Sequence, residues 1–305
     1  MRNAFLKALI ETAEQNPKLM LLTADLGFGL FEPFVEKFPH QYLNVGVAEQ
    51  NMMGIATGLS QKGYTVFAYS IANFGVLRPY EQIRNDLCYH DANVKIVVSG
   101  GGLSYGALGM SHHATEDIAV MRVLPNMQIL TPCDDFDAYA GTHYFAKQPG
   151  PAYIRLEKGS VSQGIQALNA NFTPGELTYF RKGKDCVIFA YGTIVYEALK
   201  AANQLHATGI DATVIHLSTL KPLNHEAIIT EINKHKQVIS LEEHSITGGL
   251  GSILAEIIAD HGLRPQRFIR MGMPNLFSSI VGSQEFLRQY YKMDATAIEQ
   301  QIRNP

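Results

Sequence analysis

What most constrains this chain is a series of short, almost wholly apolar segments: Leu19 to Thr23, Leu43 to Val45, Thr65 to Tyr69, Val94 to Ser99, Met127 to Leu130 and Ala152 to Arg155. Segments of strand length that are apolar on both faces must be buried on both faces, as in parallel sheets covered by helices. The stretches between them have helical spacing, with Phe5, Leu6, Leu9, Ile10 and Ala13 forming one apolar stripe and Met52, Ile55, Ala56 and Leu59 another. Strand alternating with helix implies right-handed crossovers and an α/β fold with doubly wound sheets.

The alternation lapses between about Ser160 and Lys184, where Ser162-Gln163-Gly164, Asn169-Ala170-Asn171 and Thr173-Pro174-Gly175 are polar and rich in turn residues. It restarts with Cys186 to Ala190, a helix near Val195 to Leu205, Ala212 to His216, Ile228 to Ile232, Val238 to Leu241, a helix after Gly251, and Phe268 to Met271. The expected layout is therefore a first α/β domain over 1–165, a linker over 166–183 and a smaller α/β domain over 184–305. A length of 305 residues, twice a typical domain, agrees.

Several function classes drop out at this level. The formal net charge is −3 with no block of Lys or Arg, which removes the phosphate attraction a nucleic-acid binder needs. The first residues, Met1 to Glu11, are broken by charge every few positions and do not read as a signal peptide. No stretch approaches the ~20 apolar residues that span a bilayer. Cys88, Cys133 and Cys186 form no C-x-x-C pair and leave an odd count, so they read as small buried side chains in a reducing cytoplasm, not as disulfides or a zinc knuckle. There is no H-E-x-x-H, and no metal ligands are expected from this chain. Gly100-Gly101-Gly102 and Gly248-Gly249-Leu250-Gly251 match neither the dinucleotide fingerprint nor the P-loop, and read as tight turns.

More informative is Val45-Gly46-Val47-Ala48-Glu49, a carboxylate that ends a strand and opens an apolar helix among small residues. Such a group is a candidate buried acid with a raised pKa, or simply an acid placed favourably on a helix dipole. Downstream stand Ser70-Ile71-Ala72-Asn73-Phe74, Tyr80-Glu81-Gln82-Ile83-Arg84-Asn85, then Gly106-Ala107-Leu108-Gly109-Met110-Ser111-His112-His113-Ala114-Thr115-Glu116-Asp117, and Leu241-Glu242-Glu243-His244 with its glycines. In this order they resemble the thiamine-diphosphate enzymes of the transketolase family: its G-x-x-E, its aromatic S/T-F-x-x-F segment and Q-I-R-N helix, its G-E-D-G-x-T-H-Q-x-x-E-D, and its C-terminal domain. The resemblance spans nearly the whole chain.

The resemblance implies a pyrimidine-binding thiamine-diphosphate domain followed by a transketolase C-terminal-like domain. Glu49 falls on the glutamate that bonds the aminopyrimidine ring nitrogen and promotes the ylide; Phe74 falls on the aromatic that stacks on that ring. Asp25, Arg78 and Tyr69 are expected around the cofactor. His112 matches the histidine facing the reacting carbons of the donor, while His113 stands where the family has Gln. The implied reaction is transfer of a two-carbon ketol unit between sugars. Decarboxylation by a 2-oxoacid dehydrogenase β-type or deoxyxylulose-phosphate-synthase-like subunit is the alternative, and a non-catalytic scaffold relative a further one.

The departures matter as much. The family's sugar-contacting Asp is Leu108 here, and three members of its sugar-phosphate clamp are Gly100, Gly29 and Glu157. Arg2 survives, with Arg155 and Lys158 as possible substitutes. Each charge-assisted contact is worth roughly 1.5–3 kcal/mol, so erythrose 4-phosphate and ribose 5-phosphate are expected to be poor acceptors. The family's G-D-G…N motif, which binds Mg2+ and the diphosphate, is absent. The Mg2+ ligands are therefore expected on an N-terminal transketolase-like partner in an α2β2 heterotetramer, with self-association through both domains of this chain.

Overall fold

The computed structural model describes residues 1–158, 167–168 and 171–304. Its strands are β1 (Leu19–Thr23), β2 (Tyr42–Asn44), β3 (Thr65–Ile71), β4 (Val94–Ser99), β5 (Gln128–Leu130), β6 (Ala152–Leu156), β7 (Leu177–Arg181), β8 (Cys186–Ala190), β9 (Ala212–Leu217), β10 (Thr219–Lys221), β11 (Gln237–Ser245) and β12 (Arg267–Met273). They form a seven-stranded sheet, β10-β5-β6-β4-β3-β1-β2, and a five-stranded sheet, β12-β11-β8-β9-β7. Pairing is parallel except at one edge of each, where β10 lies antiparallel to β5 and β7 antiparallel to β9.

Most of the apolar runs behave as buried parallel strands should, whereas β2 and much of β12 lie open at sheet edges and Ile228 to Ile232 belongs to the helix His225–Lys234. All residues of β4, β6, β8 and β9 are buried, and helices cover both faces. The helix Arg2–Gln15 turns Phe5, Ala8, Leu9 and Ala13 inward, and Glu49–Gln61 turns in Met52, Met53 and Ala56, as the spacing required. The Gln-Ile-Arg-Asn segment opens as a short helix, Tyr80–Gln82, and widens into a π-helix over Ile83–Cys88.

The expected junction between residues 165 and 166 lies outside the described residues. The far end of the expected linker, Leu177–Arg181, is an edge strand of the second sheet. The two units are laced together, because β10 follows β9 directly in the chain yet joins the first sheet beside β5. No helix among the described residues is long and apolar enough to cross a membrane.

Candidate active site

In the first sheet β1 and β3 are neighbours, and the chain leaves β1 towards β2 but leaves β3 towards β4. Such a switch point opens a crevice at the carboxyl ends of the strands, where α/β folds collect their functional groups. Asp25 follows β1, Glu49 follows β2, and Ser70 to Phe74 end β3 and open the helix Ala72–Leu77.

Glu49 is the first residue of its helix and only 3% exposed. The Ser70 hydroxyl donates to its Oε1 at 3.2 Å, and Arg78 Nη1 donates to its Oε2 at 3.0 Å. The Arg78 guanidinium also lies 3.9 Å over the centre of the half-buried Phe74 ring. One flat cation thus bonds a buried carboxylate while resting on an aromatic face. A cationic aminopyrimidine asks for the same two partners, so the residues fit that ligand.

The site continues through Phe74 to His112, whose rings meet edge to face at 5.1 Å. Tyr105 stands 6.3 Å beyond His112, and Lys158 Nζ lies 5.3 Å from the Tyr105 ring. The His112 loop is fixed by Asn73, which donates to the Ser111 carbonyl at 2.7 Å, and by the Ser111 hydroxyl, 3.0 Å from His112 Nδ1. Burial, then the nearby His113 and Arg78 charges, hold the His112 imidazole below its ordinary value. At neutral pH it is an uncharged ring able to accept or donate a proton.

Asp25 is exposed, with a left-handed φ of 56°. That conformation is uncommon outside Gly, Asn and Asp, and here Asn44 stabilises it by accepting from the Asp25 backbone N–H and donating to its carboxylate, both at 3.0 Å. Arg2, on the first helix, extends its charge towards the Tyr69 hydroxyl.

Three expected ligand-facing residues face elsewhere in this chain. Arg155 is 1% exposed and uses four of its five N–H donors within the chain: it donates to Asp117 Oδ2 at 2.7 Å, Glu157 Oε1 at 3.2 Å, and the carbonyls of Ala114 and Glu243 at 3.1 Å. It joins the two domains, and its burial turns it away from a substrate anion. Tyr69 is 3% exposed beneath Phe31, its ring in edge contact at 4.8 Å, so it packs the floor behind the crevice. His113 is also buried, with Nε2 3.2 Å from the Gly106 carbonyl. Strand alternation and local packing put these side chains inward, which resemblance of motif alone does not reveal.

The structure also explains a departure. A Cβ at Gly100 would sit 2.1 Å from the Tyr105 ring, so Tyr105 fills the space a side chain there would take. Lys158, beside Tyr105, remains as a cation near His112, and Leu108 and Met110 are 56% and 53% exposed, which makes the rim partly apolar. The sequence alone does not single out Ser70, Asn73 and Tyr105; a serine at the carboxyl end of β3 is the available signal for the first.

The family models for the transketolase pyrimidine-binding domain and the transketolase C-terminal domain match residues 1–163 and 175–298. One subunit of an apulose-4-phosphate transketolase from Actinobacillus succinogenes is 35% identical over 98% of this chain and 96% of its own. A 6-deoxy-6-sulfo-D-fructose transketolase subunit from a Clostridium strain is 33% identical over 98% of this chain and 92% of its own. A split-gene transketolase solved as an inactive β4 tetramer superposes with a TM-score of 0.89 at 37% identity, covering 99% of this chain and 96% of that one.

Proposed function

This chain belongs to the transketolase family as a C-terminal transferase subunit, and from that premise we propose that it completes a thiamine-diphosphate site together with a separate N-terminal subunit. The supporting observation is the buried Glu49 carboxylate with a planar cation held against it and stacked on Phe74.

When bound, thiamine diphosphate supplies the carbon nucleophile that cleaves and rejoins a ketose. Glu49 holds the pyrimidine ring and keeps a proton available at its nitrogen, fixed by the Ser70 hydroxyl at 3.2 Å. Phe74 covers one face of the ring. Arg78, paired with Glu49 and lying over Phe74, would yield this place to the ring; its side chain is 47% exposed. Asp25 flanks the β1 side of the crevice. His112, neutral and pinned through Ser111, moves protons on the hydroxyl groups of the donor and acceptor.

Mg2+ and the diphosphate are held by the partner in an α2β2 assembly. Self-association runs through the pyrimidine-binding and C-terminal domains of this chain. Buried free thiols suit a reducing compartment, and we place the assembly in the cytoplasm. The acceptor differs from the common pentose phosphates, since Gly100 has no room for a side chain and Arg155 is spent on Asp117 and Glu157. Relatives acting on apulose 4-phosphate and on a sulfonated fructose have acceptors or donors of this unusual kind in their names.

The test is to mix the chain with its N-terminal partner, thiamine diphosphate and Mg2+, and assay ketol transfer from a panel of ketoses. Transfer that is lost in Glu49→Gln supports the reading. Release of carbon dioxide from a 2-oxoacid without ketol transfer favours the decarboxylating alternative.

A further inference from the structure

At the junction of the two domains, the structure assigns a transition-metal site to Cys133, Asp137 and His216, of the kind that takes Zn2+. Cys133 follows β5, Asp137 lies in the first turn of the helix Asp135–Lys147, and His216 is on β9 of the other sheet. The β5–β10 pairing brings them together, because β10 follows His216 almost directly and pulls it against the end of β5. The three are 1%, 5% and 0% exposed.

Two of the three ligand-to-ligand edges suit a small cation. Asp137 Oδ2 is 3.6 Å from Cys133 Sγ and 3.2 Å from His216 Nε2, and the ligand atoms all lie within 4.8 Å of one another. Bond lengths of about 2.0–2.1 Å to N and O and about 2.3 Å to S give tetrahedral ligand-to-ligand edges of about 3.3–3.6 Å. A thiolate, a carboxylate and a neutral imidazole together carry two negative charges, so a divalent ion would leave a neutral buried cluster.

The second observation is His216 itself. Both its ring nitrogens are fully buried and neither makes a hydrogen bond, even though Nε2 approaches Asp137 Oδ2. A buried imidazole nitrogen with no hydrogen bond among the described residues is unusual, and an ion shared with Asp137 Oδ2 accounts for Nε2. Phe180 stacks on the ring at an interplanar angle of 14° and fixes its direction. The carboxylate is steadied by the Ser218 hydroxyl, which donates to Oδ2 at 3.2 Å. The Tyr196 hydroxyl lies beside the Cys133 thiol. Ligands so far apart in the chain give no spacing motif, which is why the sequence alone predicts no metal site. A metal here would pin the domains together, away from the Glu49 crevice.

The experiment measures metal in the full-length chain purified without chelator, by inductively coupled plasma mass spectrometry. About one zinc per chain is expected, falling at least tenfold in Cys133→Ser and His216→Gln and unchanged in Cys88→Ser and Cys186→Ser. In parallel, the chelator-treated wild-type chain is titrated with Co2+; a thiolate-to-cobalt charge-transfer band that saturates at about one equivalent is expected. This titration, repeated on Cys88→Ser and Cys186→Ser, decides the matter should either ligand variant fail to fold. No metal above background together with no such band would overturn the proposal, as would metal retained in folded Cys133→Ser.

Discussion

Replacing Arg155 by Met separates a structural role for this residue from a role in holding substrate. The aliphatic stem stays and the guanidinium goes, so the change removes donors to Asp117, Glu157 and two carbonyls with little change in volume. Asp117 keeps only the Tyr153 hydroxyl at 2.6 Å on Oδ2, while its Oδ1 is already buried without a partner. Glu157 keeps the Thr193 backbone N–H and hydroxyl on Oε2, but loses the guanidinium that offsets burial and the Glu243 charge, which together raise its pKa. Stripping one partner from a buried ion pair costs about 3–5 kcal/mol, because the remaining charge stays desolvated. With an unfolding entropy of about 2.1 cal/mol/K per residue over 305 residues, that is a fall in Tm of roughly 5–8 °C if the chain unfolds as one unit. Scanning calorimetry of the variant should therefore register the loss, and Arg155→Met with Asp117→Asn should recover part of it. A substrate-clamp role gives the opposite pattern: an unchanged Tm and a KM raised about 10- to 150-fold, the equivalent of one charge-assisted bond. That pattern would refute the structural reading.

Two further outcomes concern the crevice. His112 works as the neutral imidazole and its pKa is depressed, so kcat/KM of the assembled enzyme should fall only as pH drops through a value below 6.5, and His112→Gln should lose that acid limb; a limb at or above 6.5 contradicts this. Because Arg78 stands in the place of the pyrimidine ring, Arg78→Ala should strengthen cofactor binding by about 2- to 5-fold, the worth of a partly exposed ion pair, measured from activation of the assembly by thiamine diphosphate. A tenfold weakening would mean that Arg78 contacts the bound cofactor instead.

The parallel strands were legible because burial on both faces leaves a plain signature, and Val94 to Ser99 and Cys186 to Ala190 appear as read. The antiparallel edges β7 and β10 were not, since Leu177–Arg181 follows a turn-rich stretch and Thr219–Lys221 is too short to carry a pattern. Glu49, Phe74 and His112 stand out in the sequence because local motifs carry them, and the structure brings them together through Arg78 and an edge-to-face contact. Arg155 misled because its position in sequence gives no hint of Asp117 and Glu243 closing over it from other elements. Charge alone did not distinguish a cation awaiting a ligand from one already paired.

We propose that Glu49 activates a cofactor shared with a second subunit. It is tested most directly by isothermal titration of thiamine diphosphate with Mg2+ into three samples, this chain alone, the mixture with its N-terminal partner, and that mixture with Glu49→Gln, each followed by a ketol-transfer assay. The account predicts weak binding and no turnover for the chain alone, tight binding and turnover for the mixture, and a folded Glu49→Gln assembly whose turnover is down at least a hundredfold. Tight Mg2+-dependent binding by this chain alone, or an unimpaired Glu49→Gln assembly, would contradict it.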